Sequence, residues 1–303
     1  MNFLNLIRYK NLLLIALVQI LIKYGLLESW GVNGVLTDFQ FGLLVLATLA
    51  IAAAGNVIND IYDVDIDTVN KPQRVIIGRR VSETRAYQLF VGLNVLGVAL
   101  GFYLSNSIGK PGFAAVFIVI SALLFMYASY LKGVLFVGNI LVSVLVALSV
   151  LIVPVFDVLP VINTDETNLT LLSFKVILHY ACFAFVVNFI REIVKDIQDI
   201  NGDKKASLKT LPIVLGRNRA TTIVFTLGVI LSALVIGYMY IYLYYSQQIL
   251  LYFLFFIVAP LFYFCVKAWN AERAKEYTFL SFFLKVIMFL GICSVAFYPL
   301  PQA

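Results

Sequence analysis

Residues 55–67 read GNVINDIYDVDID and follow a long apolar run, at the point where a membrane helix would leave the bilayer. Asp60, Asp63 and Asp67 are spaced three and four residues apart, so on a helix they share one face. Asn59 starts an overlapping row with intervals of four. Carboxylates crowded on one face repel one another unless a cation lies among them. Magnesium suits such a site because it takes oxygen ligands, commonly one or two carboxylates plus substrate phosphate.

A second acidic motif repeats this spacing 136 residues later, at Asp196, Asp199 and Asp203, again after a long apolar run. A solvated helix terminus would explain one acidic helix end. Two such ends, each at the mouth of a membrane segment, favour a divided site for a metal ion and a diphosphate.

The composition is that of an integral membrane protein. The 303-residue chain is 62% hydrophobic and 13% charged, with a mean hydropathy of +0.97, whereas soluble proteins are about one quarter charged. Backbone polar groups in lipid must be satisfied internally, so the apolar runs predict an all-α fold. Nine runs approach the roughly 20 residues needed to span the hydrocarbon core. They are 11–28, 38–59, 86–105, 112–130, 134–156, 171–191, 220–243, 248–267 and 278–298.

The basic residues predict the orientation of these segments. Eighteen of the 22 Lys and Arg lie at the N-terminus or in alternate loops, all on one side of the predicted membrane. The positive-inside rule places that side, with the N-terminus and both acidic motifs, in the cytoplasm. The net charge of +6 therefore reflects topology and predicts no nucleic-acid partner. The motifs follow segments two and six, which suggests one domain over 1–303, with pseudo-repeated halves at about 1–130 and 131–267 plus a ninth helix.

Basic residues surround both motifs. Lys71 and Arg74 follow the first motif, while Arg191 and Lys195 precede the second on the same predicted helix. Carboxylates that hold magnesium beside cations that hold phosphate oxygens are the parts needed to bind and ionise a diphosphate. A membrane location indicates a substrate with a long hydrophobic tail. Four polar residues within apolar segments are explained by packing, interior pairing or snorkelling: Lys23, Lys175, His179 and Lys285.

These motifs resemble those of a known family. The pattern N-D-x-x-D-x-x-x-D from Asn59, followed by N-K-P-x-R from Asn70, resembles the first signature of the UbiA superfamily of intramembrane prenyltransferases. The pattern D-x-x-D-x-x-x-D from Asp196 resembles its second signature. Tyr130-x-Lys132, with Gly138-Asn139 after it, resembles the family's turn between helices four and five. The resemblance covers essentially the whole chain.

Within the superfamily, residues 188–203 and 210–216 resemble most the digeranylgeranylglyceryl phosphate synthase branch. The chlorophyll synthase and homogentisate branches come next. One stretch departs from the pattern: residues 74–78 read RVIIG, where these relatives usually carry a proline-rich R-P-x-P-S-G sequence. This loop is expected to be less rigid, and the departure bears on the acceptor more than on the chemistry.

The resemblance implies a bundle of nine transmembrane helices with a central cavity, in the cell's inner or plasma membrane, with a cytoplasmic active site. It implies Mg²⁺-dependent transfer of a polyprenyl group, expected to be geranylgeranyl, from its diphosphate to a lipid-soluble acceptor. The expected acceptor is geranylgeranylglyceryl phosphate. The leaving diphosphate is neutralised, the allylic C–O bond ionises, and the acceptor attacks the cation.

The resemblance also implies site residues. The catalytic set is Asp63, Asp67, Asp199 and Asp203. The metal set comprises these four together with Asn59, Asp60 and Asp196, of which Asp60 and Asp196 either complete the ligands or orient their waters. The expected substrate-binding residues are Asn59, Lys71, Arg74, Tyr130, Lys132, Asn139, Asn188, Arg191 and Lys195.

Two alternatives remain open. An aromatic prenyltransferase of quinone biosynthesis would use the same metal site with 4-hydroxybenzoate or a dihydroxynaphthoate as acceptor. A cation-coupled transporter would use the acids as an ion pathway, but transporter acids usually lie near the bilayer midplane at broken helices. The acids here cluster at helix ends.

Overall fold

The computed structural model describes residues 2–162 and 168–300. This part of the chain contains nine helices long and apolar enough to cross a membrane, which confirms the predicted count. They are α1 (Tyr9–Leu27), α2 (Asp38–Tyr62), α3 (Glu83–Ser107), α4 (Pro111–Ser129), α5 (Val137–Val161), α6 (Leu169–Lys205), α7 (Arg217–Leu243), α8 (Gln247–Trp269) and α9 (Ala274–Phe297). Among the described residues the only β pairing is an isolated bridge between Ile77 and Val81. The predicted all-α class is confirmed.

Two helix ends differ from the sequence expectation in a way that matters for the site. The sixth segment was predicted over 171–191, but α6 continues to Lys205 and carries the second acidic motif within it. At 37 residues it is about 55 Å long, well beyond the roughly 30 Å hydrocarbon core. After α2 ends at Tyr62, Asp63 caps it and a short helix, Val64–Asn70, begins at once.

The helices form one packed bundle. In the first half, α2 packs against α3 and α4, and α4 against α5. In the second half, α6 packs against α5, α7 and α9, and α8 packs between α7 and α9. Helix α1 contacts α2, α5 and α9 and so links the two halves. The core joins buried side chains of both halves, among them Leu44 of α2 and Val187 of α6. The central cavity, the pseudo-repeat and the membrane orientation stay predictions.

A buried ion pair joins α1 to α5 at the end of the bundle opposite the acidic motifs. Lys23 of α1 lies 2.9 Å from a carboxylate oxygen of Asp157 in α5, whose side chain is fully buried. The other oxygen of Asp157 accepts a hydrogen bond of 2.8 Å from the backbone N–H of Leu36. A Cβ atom on Gly34 would lie 2.0 Å from Asp157 Oδ1, so only glycine fits there. The interior pairing predicted for Lys23 is confirmed.

Candidate active site

The first acidic motif keeps helical spacing across the break at Asp63. Backbone N–H groups of Asp63, Asp67 and Lys71 donate to the carbonyl four residues earlier, at 2.8 to 2.9 Å. The row Asn59, Asp63, Asp67 therefore continues from α2 into the short helix 64–70 as one face. Asn59 Nδ2 donates to Asp63 Oδ2 at 2.6 Å.

The two acidic motifs lie together at one end of the bundle. Asn70 Nδ2 donates to the backbone oxygen of Asp199 at 2.9 Å, and its Oδ1 accepts from Gly202 N–H at 2.8 Å. The ammonium of Lys71 lies 2.5 Å from Asp199 Oδ2. We call these contacts, made by Asn70 and Lys71 with Asp199 and Gly202, the Asn70 clasp. They fix the end of the first motif onto the second.

A third element brings Lys132 to the motifs. Lys132 lies in the tight turn Leu131–Gly133 between α4 and α5, and its ammonium forms an ion pair with Asp63 Oδ1. The turn is held by a 3.0 Å hydrogen bond from Lys209 N–H, beyond α6, to the oxygen of Gly133. Glycine is needed at position 138 because a Cβ there would lie 2.8 Å from the Cα of Lys132. The backbone therefore holds Lys132 over Asp63.

The remaining acids of the two motifs have separate partners. Asp60 accepts a 2.6 Å bond from the guanidinium of Arg8, just before α1. Asp196 accepts a 2.8 Å bond from Asn139 Nδ2 of α5. Asp203 is 7% exposed and lies close enough to Asp199 and Asp63 for their charges to interact.

The predicted basic residues of α6 share one carboxylate that the sequence analysis did not single out. Glu192 is buried, and its oxygens lie 3.1 Å from Arg191 Nη1 and 2.7 Å from Lys195 Nζ. Its signal in the sequence was an acid directly after an apolar segment, between the two predicted basic residues Arg191 and Lys195. Asn188, one turn earlier, donates to Ser143 Oγ of α5 at 3.3 Å and lies on the core side of α6.

Two tyrosines at the end of α4 lie in different environments. Tyr130, the predicted pocket residue, is 72% exposed and lies just past the last helical residue, Ser129. Tyr127, one turn earlier, instead lies near Asp63, Glu192 and Asp196, close enough to interact with their charges. The side chain of the predicted residue Arg74 lies outside the described part of the structure.

Burial and crowding act together on Asp67. Its pKa is raised above the usual value because the carboxyl is partly buried, and the neighbouring charge of Asp63 raises it further. Lys71 opposes this shift without reversing it. Burial and the nearby charge of Asp63 both destabilise the charged form of Asp67. This position therefore favours a bound cation.

The family model for UbiA prenyltransferases matches residues 12–290, which is most of the chain. The chain belongs to the UbiA prenyltransferase family. It is a membrane-embedded prenyltransferase, in agreement with the resemblance read from its motifs.

Relatives of this UbiA chain include two digeranylgeranylglyceryl phosphate synthases. The protein of Korarchaeum cryptofilum is 34% identical over 293 residues, which cover 94% of this chain and 93% of that protein. The protein of Saccharolobus solfataricus is 36% identical over 210 residues, or 67% and 68% of the two chains.

Solved structures agree on the fold. A structure of a digeranylgeranylglyceryl phosphate synthase matches with a TM-score of 0.64 at 22% identity, over 98% of this chain and 97% of that chain. A UbiA homologue from Archaeoglobus fulgidus, bound to DMAPP and Mg²⁺, matches with a TM-score of 0.58 at 16% identity, over 97% and 99%.

The side-chain oxygens of the two motifs are of the type that binds Mg²⁺. The cap of α2 supplies Asp63, the short helix 64–70 supplies Asp67, and α6 supplies Asp199 and Asp203. Their oxygens are the ligands that Mg²⁺ prefers, and Asn59 adds an amide oxygen. Within the described residues no three acidic, histidine or cysteine side chains already converge in a metal-binding cluster. Asp63 and Asp199 instead accept the positive charges of Lys132 and Lys71. Both carboxylates are therefore positions that already attract a cation.

Proposed function

We propose that this chain transfers a geranylgeranyl group from its diphosphate to geranylgeranylglyceryl phosphate, in a Mg²⁺-dependent reaction at the cytoplasmic face of the membrane. Two relatives that are similar over at least two thirds of the chain are digeranylgeranylglyceryl phosphate synthases, and this supports the choice of donor and acceptor. The excess of Lys and Arg at the motif end of the bundle supports the cytoplasmic side.

The Asn70 clasp is the observation that carries this proposal. It joins the ends of two motifs that are distant in the chain, and Lys71 and Lys132 form ion pairs with one carboxylate of each motif, which supports a single diphosphate site between them. Neither motif alone offers both an acidic face and the cations of a neighbouring element.

Asn59, Asp63, Asp67, Asp199 and Asp203 would hold the Mg²⁺, which when bound supplies positive charge to the diphosphate oxygens. Lys71 and Lys132 bind phosphate oxygens directly, because each ammonium already lies between the motifs and has hydrogen-bonding capacity beyond its carboxylate partner. Their charge stabilises the diphosphate as it leaves C1 of the prenyl chain, which becomes an allylic cation.

The apolar helices determine the fate of that cation. The prenyl tail lies among the helices, where water is excluded, so the acceptor hydroxyl is the nucleophile that reaches the cation. Attack by the hydroxyl oxygen forms the new C–O bond, and the hydroxyl proton passes to a site carboxylate or to the departing diphosphate. Tyr127 lies near the charges of both motifs and is placed to orient these groups through its hydroxyl.

The test is a prenyl transfer assay with the purified full-length protein in detergent. Geranylgeranyl diphosphate is offered with geranylgeranylglyceryl phosphate, 4-hydroxybenzoate or dihydroxynaphthoate, in Mg²⁺ or in EDTA. We expect Mg²⁺-dependent product with the glyceryl phosphate acceptor, and no product from Asp63→Asn or Asp199→Asn. Preferred transfer to an aromatic acceptor would overturn the proposed glyceryl phosphate acceptor. Full activity in EDTA would overturn the proposed dependence on Mg²⁺.

A further inference from the structure

Lys285 is a cation inside the membrane bundle with no acidic partner. It lies near the middle of α9, is half-buried, and its ammonium donates to Asn11 Oδ1 of α1. Across the described residues no carboxylate lies within ion-pair distance of it. The charged groups close enough to act on it are Arg191 of α6 and Lys10 of α1, both positive. An ammonium in this setting is costly unless an anion joins it.

Arg191 is also incompletely satisfied. One of its terminal nitrogens contacts Glu192 at 3.1 Å, but its buried Nε has no hydrogen-bond partner in the described structure. Glu192 is shared with Lys195 at 2.7 Å, so one carboxylate serves two cations. Lys10 and Lys285 form no ion pair in the described structure, and both Arg191 and Lys10 lie close enough to Lys285 for their charges to interact. The surplus of positive charge lies where α1, α6 and α9 meet.

We call Lys10, Asn11, Arg191 and Lys285 the inner basic cluster. It adjoins the diphosphate site, but in the described structure its cations form no ion pair with the acids of either motif; there Lys71 and Lys132 pair with Asp199 and Asp63. Arg191 precedes Asp199 by eight residues on α6, which is about 12 Å along the helix axis. Arg191 therefore lies deeper along α6 than the acids that would hold the metal, whereas Lys10 is the exposed member of the cluster, at the start of α1.

The donor types of the cluster suit a phosphate. A guanidinium with a free Nε–H, two ammonium groups and an amide present several hydrogen-bond donors to one anion, which matches the acceptor oxygens of a phosphomonoester. A molecule that places its phosphate there must come with a tail that partitions among the helices. We infer that the inner basic cluster binds the phosphate of the lipid-soluble prenyl acceptor, an inference that rests on the proposed function.

A phosphate held between α1, α6 and α9 would orient the acceptor. The hydroxyl that reacts is carried on the same glyceryl unit as the phosphate, so fixing the phosphate restricts where the hydroxyl can lie. The cluster would also select phosphorylated acceptors, because an uncharged acceptor leaves its cations without a counter-ion. The headgroup of an ordinary anionic lipid offers the same chemistry and must be separated by experiment.

The experiment compares wild type with Lys285→Met, Lys285→Arg and Lys175→Met. Lys285→Met removes the charge with little change in length, whereas Lys285→Arg keeps it. Lys175 is an exposed lysine at the far end of α6 and serves as the matched control. Initial rates are measured against the concentration of geranylgeranylglyceryl phosphate and, separately, of geranylgeranyl diphosphate. Thermal stabilisation by geranylgeranylglyceryl phosphate, geranylgeranylglycerol or phosphatidylglycerol is measured without donor or Mg²⁺.

For Lys285→Met we expect the KM for the phosphorylated acceptor to rise about 10-fold or more, while the KM for the donor stays within about 2-fold. Lys285→Arg should restore most of the acceptor KM, and Lys175→Met should match wild type. In the binding arm, the phosphorylated acceptor should stabilise wild type but not Lys285→Met, and geranylgeranylglycerol should stabilise neither.

Two results would overturn the inference. One is an unchanged acceptor KM and unchanged stabilisation in a folded Lys285→Met protein. The other is equal stabilisation by phosphatidylglycerol, lost on the same substitution, which would assign the cluster to bulk anionic lipid. If wild type transferred prenyl groups to no acceptor, the proposed function would fail, while the binding arm would still decide whether the cluster recognises a lipid phosphate.

Discussion

Asn70 and Gly202 fit together so closely that any side chain at position 202 would displace Asn70. The side-chain oxygen of Asn70 accepts the Gly202 N–H at 2.8 Å, and a Cβ built on Gly202 would lie 2.3 Å from Asn70 Nδ2. This contact joins residues 132 positions apart and brings the two acidic motifs into one site.

Gly202→Ala should therefore separate the motifs without unfolding the bundle. The added methyl group must displace Asn70, and with it Lys71 from Asp199. We expect prenyl transfer to fall by about 10-fold or more, since at least one charge-assisted hydrogen bond is lost. Gly237→Ala in α7 is the control, because a Cβ there meets nothing within 4 Å. Equal activity of the two variants would show that the clasp is not needed.

Tyr127→Phe should reduce turnover more than Tyr130→Phe. Both substitutions remove one hydroxyl from the end of α4, but only Tyr127 lies near the charges of Asp63, Asp196 and Glu192. We expect a loss on the order of 10-fold for Tyr127→Phe, the effect of losing one hydrogen bond from its hydroxyl to a charged group in the complex with substrate. Steady-state rates with saturating donor provide the measurement. A larger effect at Tyr130 would place the substrate on the other side of this turn.

The raised pKa of Asp67 predicts how the folding stability depends on pH when Mg²⁺ is removed. Burial and the charge of Asp63 raise the pKa of Asp67, so the folded protein holds this proton more tightly than the unfolded chain does. Folding stability from this group is present at low pH and is lost as the pH rises through the raised pKa. In EDTA, the melting temperature of wild type should fall more than that of Asp67→Asn between acid and neutral pH.

Added Mg²⁺ should reduce this difference, because a cation among the carboxylates favours their charged form. Thermal unfolding followed by intrinsic fluorescence across a pH series measures both effects. Identical pH profiles for wild type and Asp67→Asn in EDTA would show that Asp67 is not the group responsible.

Lys23→Met should destabilise the bundle while leaving the chemistry intact. The substitution leaves the fully buried Asp157 without its cation, at the end of the bundle opposite the acidic motifs. Removing one partner of a buried ion pair costs about 3 kcal/mol of unfolding free energy. Chemical unfolding in detergent measures this loss, and Lys175→Met again provides the control. A stability equal to the control would mean that Asp157 is neutral or satisfied by Leu36 alone.

The number and class of the helices could be predicted because the length and polarity of an apolar run are local properties. The end of α6 could not, since residues 192–205 carry many charges and leave the hydropathy signal, although the helix continues. Its last turns are held by the short helix 64–70, which packs against α6. Contacts between elements distant in sequence determine where this helix ends.

The acids of the site could be named from their spacing, but their partners could not. Arg8 reaches Asp60 only because the chain turns in a left-handed conformation at Arg8, with φ of 53°. The side chain of Tyr130 leaves the helix face because α4 ends at Ser129, so that Tyr127 takes the inner position. Both depend on how helix ends are arranged in space, which residue spacing does not encode.

A binding titration can decide whether both motifs bind one diphosphate. A non-reactive thiolo analogue of geranylgeranyl diphosphate is titrated with Mg²⁺ into wild type, Asp63→Asn and Asp199→Asn, with Lys175→Met as control. We expect one ligand per chain for wild type and the control, and an affinity lowered by about 10-fold or more when either aspartate is changed. Wild-type affinity in either aspartate variant, or two independent sites per chain, would show that the two motifs do not share one diphosphate.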